Sequence, residues 1–189
     1  PLSIRELFFE RLRPGDIYTH TYAELNGSRE TVINRESREL EPFILDAQKR
    51  GIIFDVGYGG ASFEFKQAIP ALAAGFYPNT ISTDLHTGSM NAAMKDMLNV
   101  MTTFLAMGME LPDVIEASTW KPAQVIQRTE LGHLSEGAIA DLSILNIREG
   151  DFTLWDRTGQ KVPSENKLEC EVTLKDGKVV YDLNGRSIK

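Results

Sequence analysis

The chain has 189 residues, 42% of them hydrophobic and 25% charged, with a net charge of −7. This is the make-up of a globular protein long enough to bury a core without disulfides or a structural metal. The acidity disfavours nucleic acid and anionic membrane as partners, and no run of 18 apolar residues offers a membrane span. The charges spread through the first twenty residues fit no secretory signal. The single cysteine, Cys170, allows no internal disulfide and points to a reducing, cytoplasmic setting.

PLSIRELFFERL opens the chain, with Ile4, Leu7, Phe8 and Leu12 on one helical face. A chain that begins inside an amphipathic helix, without methionine, is expected to be the C-terminal portion of something longer. Pro14-Gly15 marks a turn, DIYT (Asp16–Thr19) a short strand, and His20 to about Asn34 a long polar loop. A second helix is expected from about Glu36 to Arg50, with Asn34 or Ser37 as N-cap and Gly51 as its stop. IIFDV (Ile52–Val56) has the near-continuous apolar character of a strand buried on both faces. GYGGAS (Gly57–Ser62) reads as a loop, Phe63–Ala74 as a third helix disturbed by Pro70, and TIST (Thr80–Thr83) as the next strand. A long helix over Asn91–Met107 and short ones near Pro112–Ser118 and Pro122–Arg128 follow.

Helix, strand, helix, strand, helix, strand over the first 85 residues predicts an α/β unit with a parallel sheet covered by helices. Beyond about Thr129 the period changes. IADLSILNI, FTLWD and KLECEVTLKDGKVVYDLNG alternate with period two, and Asp176-Gly177 supplies a hairpin turn, so the tail reads as antiparallel β. Two regions are therefore expected, 1–128 and 129–189. All six methionines lie in Met90–Met109, and Met90, Met94, Met97, Met101 and Leu105 share one helical face. An ordinary core face is favoured there over an adaptable partner groove.

Catalytic groups of parallel α/β sheets stand at the C-terminal ends of strands. His20 follows DIYT, Tyr58 and its flanking glycines follow IIFDV, and Asp84 and His86 follow TIST. Histidine and carboxylate are the ligand types of zinc and similar divalent ions. An aspartate beside such an ion can also accept a proton from water and return it to a leaving amine. Three or more protein ligands are usual, and His20, Asp84 and possible ligand His86 leave that set incomplete. His133 falls off the strand-end pattern and is expected to be structural or solvent-exposed. A rival reading takes Gly57–Ser62 as a phosphate- or nucleotide-binding loop with Ser62 capping the following helix. Its spacing matches neither G-x-G-x-x-G nor G-x-x-x-x-G-K-[ST].

Together LRPGDIYTH, FDVGYGGASF, ISTDLH and LGHLSEGAIADLSIL resemble the metal-dependent amidohydrolase superfamily. They are most similar to its dihydroorotase-like branch of amidohydrolase/deacetylase metallohydrolases, over Leu12 to about Asp182. The resemblance implies the last part of a (β/α)8 barrel, with DIYT, IIFDV and TIST as strands six to eight, and a small β-sandwich segment from Leu131. It implies one or two divalent metal ions, zinc foremost, with His20 and Asp84 as ligands and Asp84 as the catalytic proton shuttle. Tyr58, Gly59 and His86 would meet a small-molecule amide or cyclic amide. Two departures accompany it. Tyr58 stands where DVGHGG would place a histidine, and the His-x-His pair, the carboxylated lysine and another histidine ligand of the family would precede Pro1. A non-catalytic relative is the third reading. Three strands alone would leave an open edge, so this portion is expected to be inactive by itself and to aggregate or associate, with another copy of itself among the candidates.

Overall fold

The structure is a computed structural model that describes residues 2–24, 27 and 29–187. Pro1, Leu25, Asn26, Ser28, Ile188 and Lys189 lie outside the described residues, the first residue of the expected opening helix and part of the His20–Asn34 loop among them.

Ser3 and Glu6 form a capping box that starts α1 (Ile4–Glu6). The helix then widens into a π-turn over Leu7–Arg11, closed by the Leu12 N–H on the Leu7 carbonyl. Ile4 and Phe8 are buried, and Leu7 and Leu12 pack at the margin of the same core.

Two short strands, β1 (Ile17–Tyr18) and β2 (Ile53–Phe54), pair in parallel with Ile17 opposite Ile53 and Tyr18 opposite Phe54. TIST joins on the other side of β2 through the parallel bridge of Asp55 and Thr80. Val56, Tyr58 and Gly59 donate their N–H groups to Thr80, Ser82 and Thr83 carbonyls, which prolongs this pairing. Along IIFDV only one face is fully covered. Ile52, Phe54 and Val56 are buried, while Ile53 and Asp55 on the opposite face are half-buried, which corrects the expectation of burial on both sides.

The second helix is shorter than expected, α2 (Phe43–Lys49). Asn34 does not cap it. Its carboxamide oxygen instead accepts the N–H groups of Glu36 and Ser37, and Ile33 bridges Leu40, so residues 34–40 form a turn. Pro70 sits inside α3 (Phe65–Ala73) without ending it.

The expected Asn91–Met107 helix is α4 (Met97–Ala106). Asp96 caps it by accepting the Asn99 N–H at 2.8 Å, and Lys95 at φ 59° leaves the helical region. Met90 therefore stands exposed in a turn, Met94 is buried ahead of the helix, and Met97, Met101 and Leu105 follow α4 against the core. α5 (Leu111–Ser118) and α6 (Trp120–Val125) complete the helices.

The tail is an antiparallel sheet of β3 (Leu142–Trp155), β4 (Lys161–Lys175) and β5 (Lys178–Asp182), in that order. IADLSILNI and FTLWD, expected as separate strands, run into one strand whose register shifts between Glu149 and Phe152. Asp176 and Gly177 turn β4 into β5 with φ of 48° and 71°, the paired positive angles of a tight hairpin.

One hydrophobic core joins the two sheets. Phe8, Phe54 and Phe76 meet edge to face, and Phe63 touches Tyr22, Tyr58, Phe65 and Phe104. α4 lies against β4, where the Leu168 N–H donates to the Thr102 hydroxyl at 3.0 Å. His133 is half-buried against Trp120, ring edge to ring face at 5.6 Å between centroids.

Candidate active site

β1, β2 and the TIST segment bridged in parallel to β2 end on the same side. The described chain there presents Thr19–Thr21, Asp55–Gly59 and Ser82–Asp84, stitched by Thr21 N–H to Asp55 C=O and Gly59 N–H to Thr83 C=O. His20 and Asp84 both stand on this rim with left-handed backbones, at φ 59° and 48°. For residues bearing a Cβ this conformation costs about 1–2 kcal/mol, though Asp and His tolerate it better than most. It persists where the surroundings over-determine it.

The surroundings of His20 are explicit. Its Nδ1 is 2.6 Å from the Gly57 carbonyl oxygen. A carbonyl only accepts, so Nδ1 carries the proton, and in the neutral ring Nε2 holds the lone pair. Gly57 permits this approach because it has no side chain. A Cβ there would collide with Thr19 Oγ1 and stand 2.7 Å from His20 Nδ1. Gly59, at φ 56°, does the same for the other group, since its Cβ would lie 2.7 Å from Asp84 Oδ2. The two-glycine spacing around Tyr58 thus lets the imidazole and the carboxylate close on one short stretch of chain.

Asp84 is exposed, and among the described residues its carboxylate accepts no hydrogen bond. Its own carbonyl is held by the Ser89 hydroxyl at 3.0 Å. His86 is also exposed, but its ring folds back onto its own turn. Nδ1 accepts the Gly88 N–H at 3.1 Å, which leaves Nε2–H facing outward as a donor. Among the described residues no three His, Cys, Asp or Glu side chains are grouped to hold an ion.

Tyr58 is a correction. The ring is fully buried, stacked on Phe63 at 4.2 Å and 12°, and its hydroxyl donates to the Trp155 carbonyl at 3.1 Å. Burial pushes its phenol pKa far up. The ring is turned into the core and offers nothing to a substrate at the rim.

The phosphate-loop reading loses three of its donors. The N–H groups of Gly57, Tyr58 and Gly59 are already given to Ser82 and Thr83. Ser62 does not cap α3. Glu64 is the cap residue, and the Phe65 N–H goes to the Asp156 carboxylate at 2.8 Å. The first N–H of that helix is thereby already taken by a side chain of the chain itself.

Asp55 went unrecognised in the sequence, where it reads as one more residue of a strand. Its Oδ2 accepts from the hydroxyls of Thr19 at 2.7 Å and Ser82 at 2.8 Å, and its Oδ1 from that of Thr80 at 2.6 Å. The signal was a lone carboxylate inside an apolar run, with threonines and serines at neighbouring strand ends.

Comparison with known proteins agrees with this arrangement. The sequence profile of the Amidohydrolase family matches residues 61–180. A deacetylase of Brucella anthropi is 36% identical over 159 residues, covering 84% of this chain and 39% of that protein. The chain belongs to the amidohydrolase family. A deacetylase of Enterococcus faecalis is 30% identical over 172 residues, covering 90% of the chain and 46% of the relative. Among solved structures, an adenine deaminase superposes with a TM-score of 0.88 at 28% identity, over 96% of this chain and 48% of the other. A dihydroorotase gives 0.81 at 31% identity, over 95% and 48%. The chain thus spans less than half the length of these amidohydrolase relatives. No helix among the described residues is long and apolar enough to cross a membrane.

Proposed function

We propose that this chain carries the last three strand ends of an amidohydrolase barrel, strands six to eight, and that the protein it represents hydrolyses an amide or cyclic amide C–N bond. The observation that carries this reading is the pairing of a histidine whose Nε2 lone pair is free with an exposed, unengaged carboxylate, both closed onto Gly57–Gly59. Relatives named deacetylase, adenine deaminase and dihydroorotase support the reaction class. Residues 1–128 would form the barrel part and 129–189 a segment of the small β-sandwich. The setting is cytoplasmic, and the partner is a small-molecule amide.

His20 Nε2 and the Asp84 carboxylate would serve as two ligands for a divalent ion, zinc foremost, whose sites usually take three or more protein ligands. When bound, one or two such ions supply Lewis-acid polarisation of the scissile carbonyl. Asp84 accepts the proton of the attacking water and delivers it to the departing amine nitrogen. His86, with its outward Nε2–H, donates to a substrate oxygen, and Gly59 keeps the floor of the site at backbone height.

The test is zinc content by mass spectrometry and hydrolysis of N-acyl amides and dihydroorotate, on the protein as its gene encodes it. His20→Ala and Asp84→Ala should each lower bound zinc and abolish turnover. Full zinc occupancy with activity intact in both variants would reject the reading.

A further inference from the structure

We infer that Asp55 is the positioning residue of this rim, holding both candidate ligands through the chain segments that carry them. The inference rests on the reading of His20 and Asp84 as ligands. Thr19 and Thr21 flank His20, and both are bound to Asp55. The Thr19 hydroxyl donates to its carboxylate at 2.7 Å, and the Thr21 N–H and hydroxyl donate to its carbonyl at 3.2 and 2.8 Å. His20 cannot relax from its left-handed backbone while both neighbours are tied to one residue of the next strand.

On the other side, the Ser82 hydroxyl donates to Asp55 Oδ2 at 2.8 Å and accepts the Gly57 N–H at 3.0 Å. Gly57 in turn accepts the His20 Nδ1–H at 2.6 Å. The bonds close a ring from Asp55 through Thr19, His20, Gly57 and Ser82 back to Asp55. Thr80, bonded to Oδ1 at 2.6 Å, fixes the start of the segment that ends at Asp84. Three hydroxyls on two strands converge on one carboxylate. A carboxylate is suited to that place because it is acceptor-only and takes all three at once.

This arrangement predicts that Asp55 sets the tautomer and orientation of His20. Residues that orient metal ligands from behind cost about 10–100-fold in affinity or activity when removed. The experiment measures zinc affinity by competition with a chromogenic chelator, and the His20 tautomer by long-range proton–nitrogen NMR of the metal-free protein. Both use the protein as its gene encodes it. Asp55→Ala should weaken zinc by about tenfold or more and mix the Nε2–H tautomer into His20. Asp55→Asn, which can still accept from one hydroxyl and donate to another, should recover part of both. Thr19→Val removes a single arm of the ring and serves where Asp55→Ala does not fold; it should move zinc affinity and tautomer in the same direction.

Unchanged zinc affinity and tautomer in Asp55→Ala, or in Thr19→Val where the former is lost, would overturn the positioning role and leave the ligand reading standing. A wild-type protein that binds no zinc, with His20→Ala equally indifferent, would remove the ligand reading and this inference with it.

Discussion

The backbone N–H of Phe65, at the start of α3, donates to the carboxylate of Asp156, 91 residues later, at 2.8 Å. The residues on either side of Asp156 make the same crossing. Trp155 offers its carbonyl to Tyr58, and Arg157 pairs with the fully buried Glu64 at 2.6 Å. The tip of the β3–β4 hairpin is thereby fastened to the loop and helix start that follow the candidate site.

Asp156→Ala should destabilise the fold by about 2–3 kcal/mol, since a buried carboxylate is lost and the Phe65 N–H is left unpaired. Asp156 also accepts from the Thr158 N–H and hydroxyl and the Gln160 N–H, so the turn loosens with it. Urea unfolding measures this. A loss under about 0.5 kcal/mol would show that the cap is not needed.

Tyr58→Phe keeps the stack on Phe63 and forfeits the hydroxyl's bond to Trp155, a cost of about 1 kcal/mol with zinc affinity and turnover unchanged. Tyr58→His, by contrast, leaves a void in the core and should cost about 2 kcal/mol or more. A gain in turnover from Tyr58→His would place this side chain at the rim and contradict its burial.

Gly57→Ala and Gly75→Ala separate backbone strain from crowding at the site. Both positions have positive φ, but a Cβ on Gly75 meets nothing within 4 Å, whereas on Gly57 it strikes Thr19 and His20. Gly75→Ala should cost about 1–2 kcal/mol and spare zinc binding. Gly57→Ala should cost more and displace His20, with zinc affinity falling at least tenfold by chelator competition.

Lys66 bonds the Glu24 carboxylate at 2.5 Å and reaches Glu64 at 3.2 Å. The hydrogen bond from Lys66 holds the Glu24 pKa below its ordinary 4.5, and the same bond lifts Lys66 above 10.5. Their contribution is whole between those two values. It is lost as pH falls through the lowered Glu24 value and again as pH rises through the raised Lys66 value. Melting temperature should decline on acidification below about 4.5 less steeply in Glu24→Gln than in wild type. Parallel declines would exclude the pair as a source of the acid limb.

What was legible in the sequence follows from how local each cause is. IIFDV, at the heart of which β2 forms, and the Asp176-Gly177 turn announce themselves, because apolar runs and paired positive φ angles depend on few neighbours. TIST, by contrast, enters the sheet through the single bridge of Thr80 to Asp55. The second helix was over-extended because Arg35–Leu40 has helix-forming composition. There the Asn34 carboxamide and the Ile33–Leu40 bridge decide the backbone instead. Likewise Asp96 begins α4 six residues later than the methionine spacing suggested. At the site, strand ends placed His20 and Asp84 on one rim. The inward turn of Tyr58 and the three hydroxyls on Asp55 were invisible, because both depend on partners from distant segments.

β3 has its two ends pinned. Ahead of it, Asp141 binds Lys175 at 2.5 Å and the Asp176 N–H at 2.9 Å, and just past it Asp156 binds Phe65. The strand is therefore a ruler of fixed length between two joints. Over generations, gained or lost residues have two places to go, Ile144–Leu145 and Glu149–Phe152, where the pairing already slips. A residue added between Phe152 and Asp156 would carry the cap past its helix, so gaps between relatives should gather at those two places and spare Phe152–Asp156.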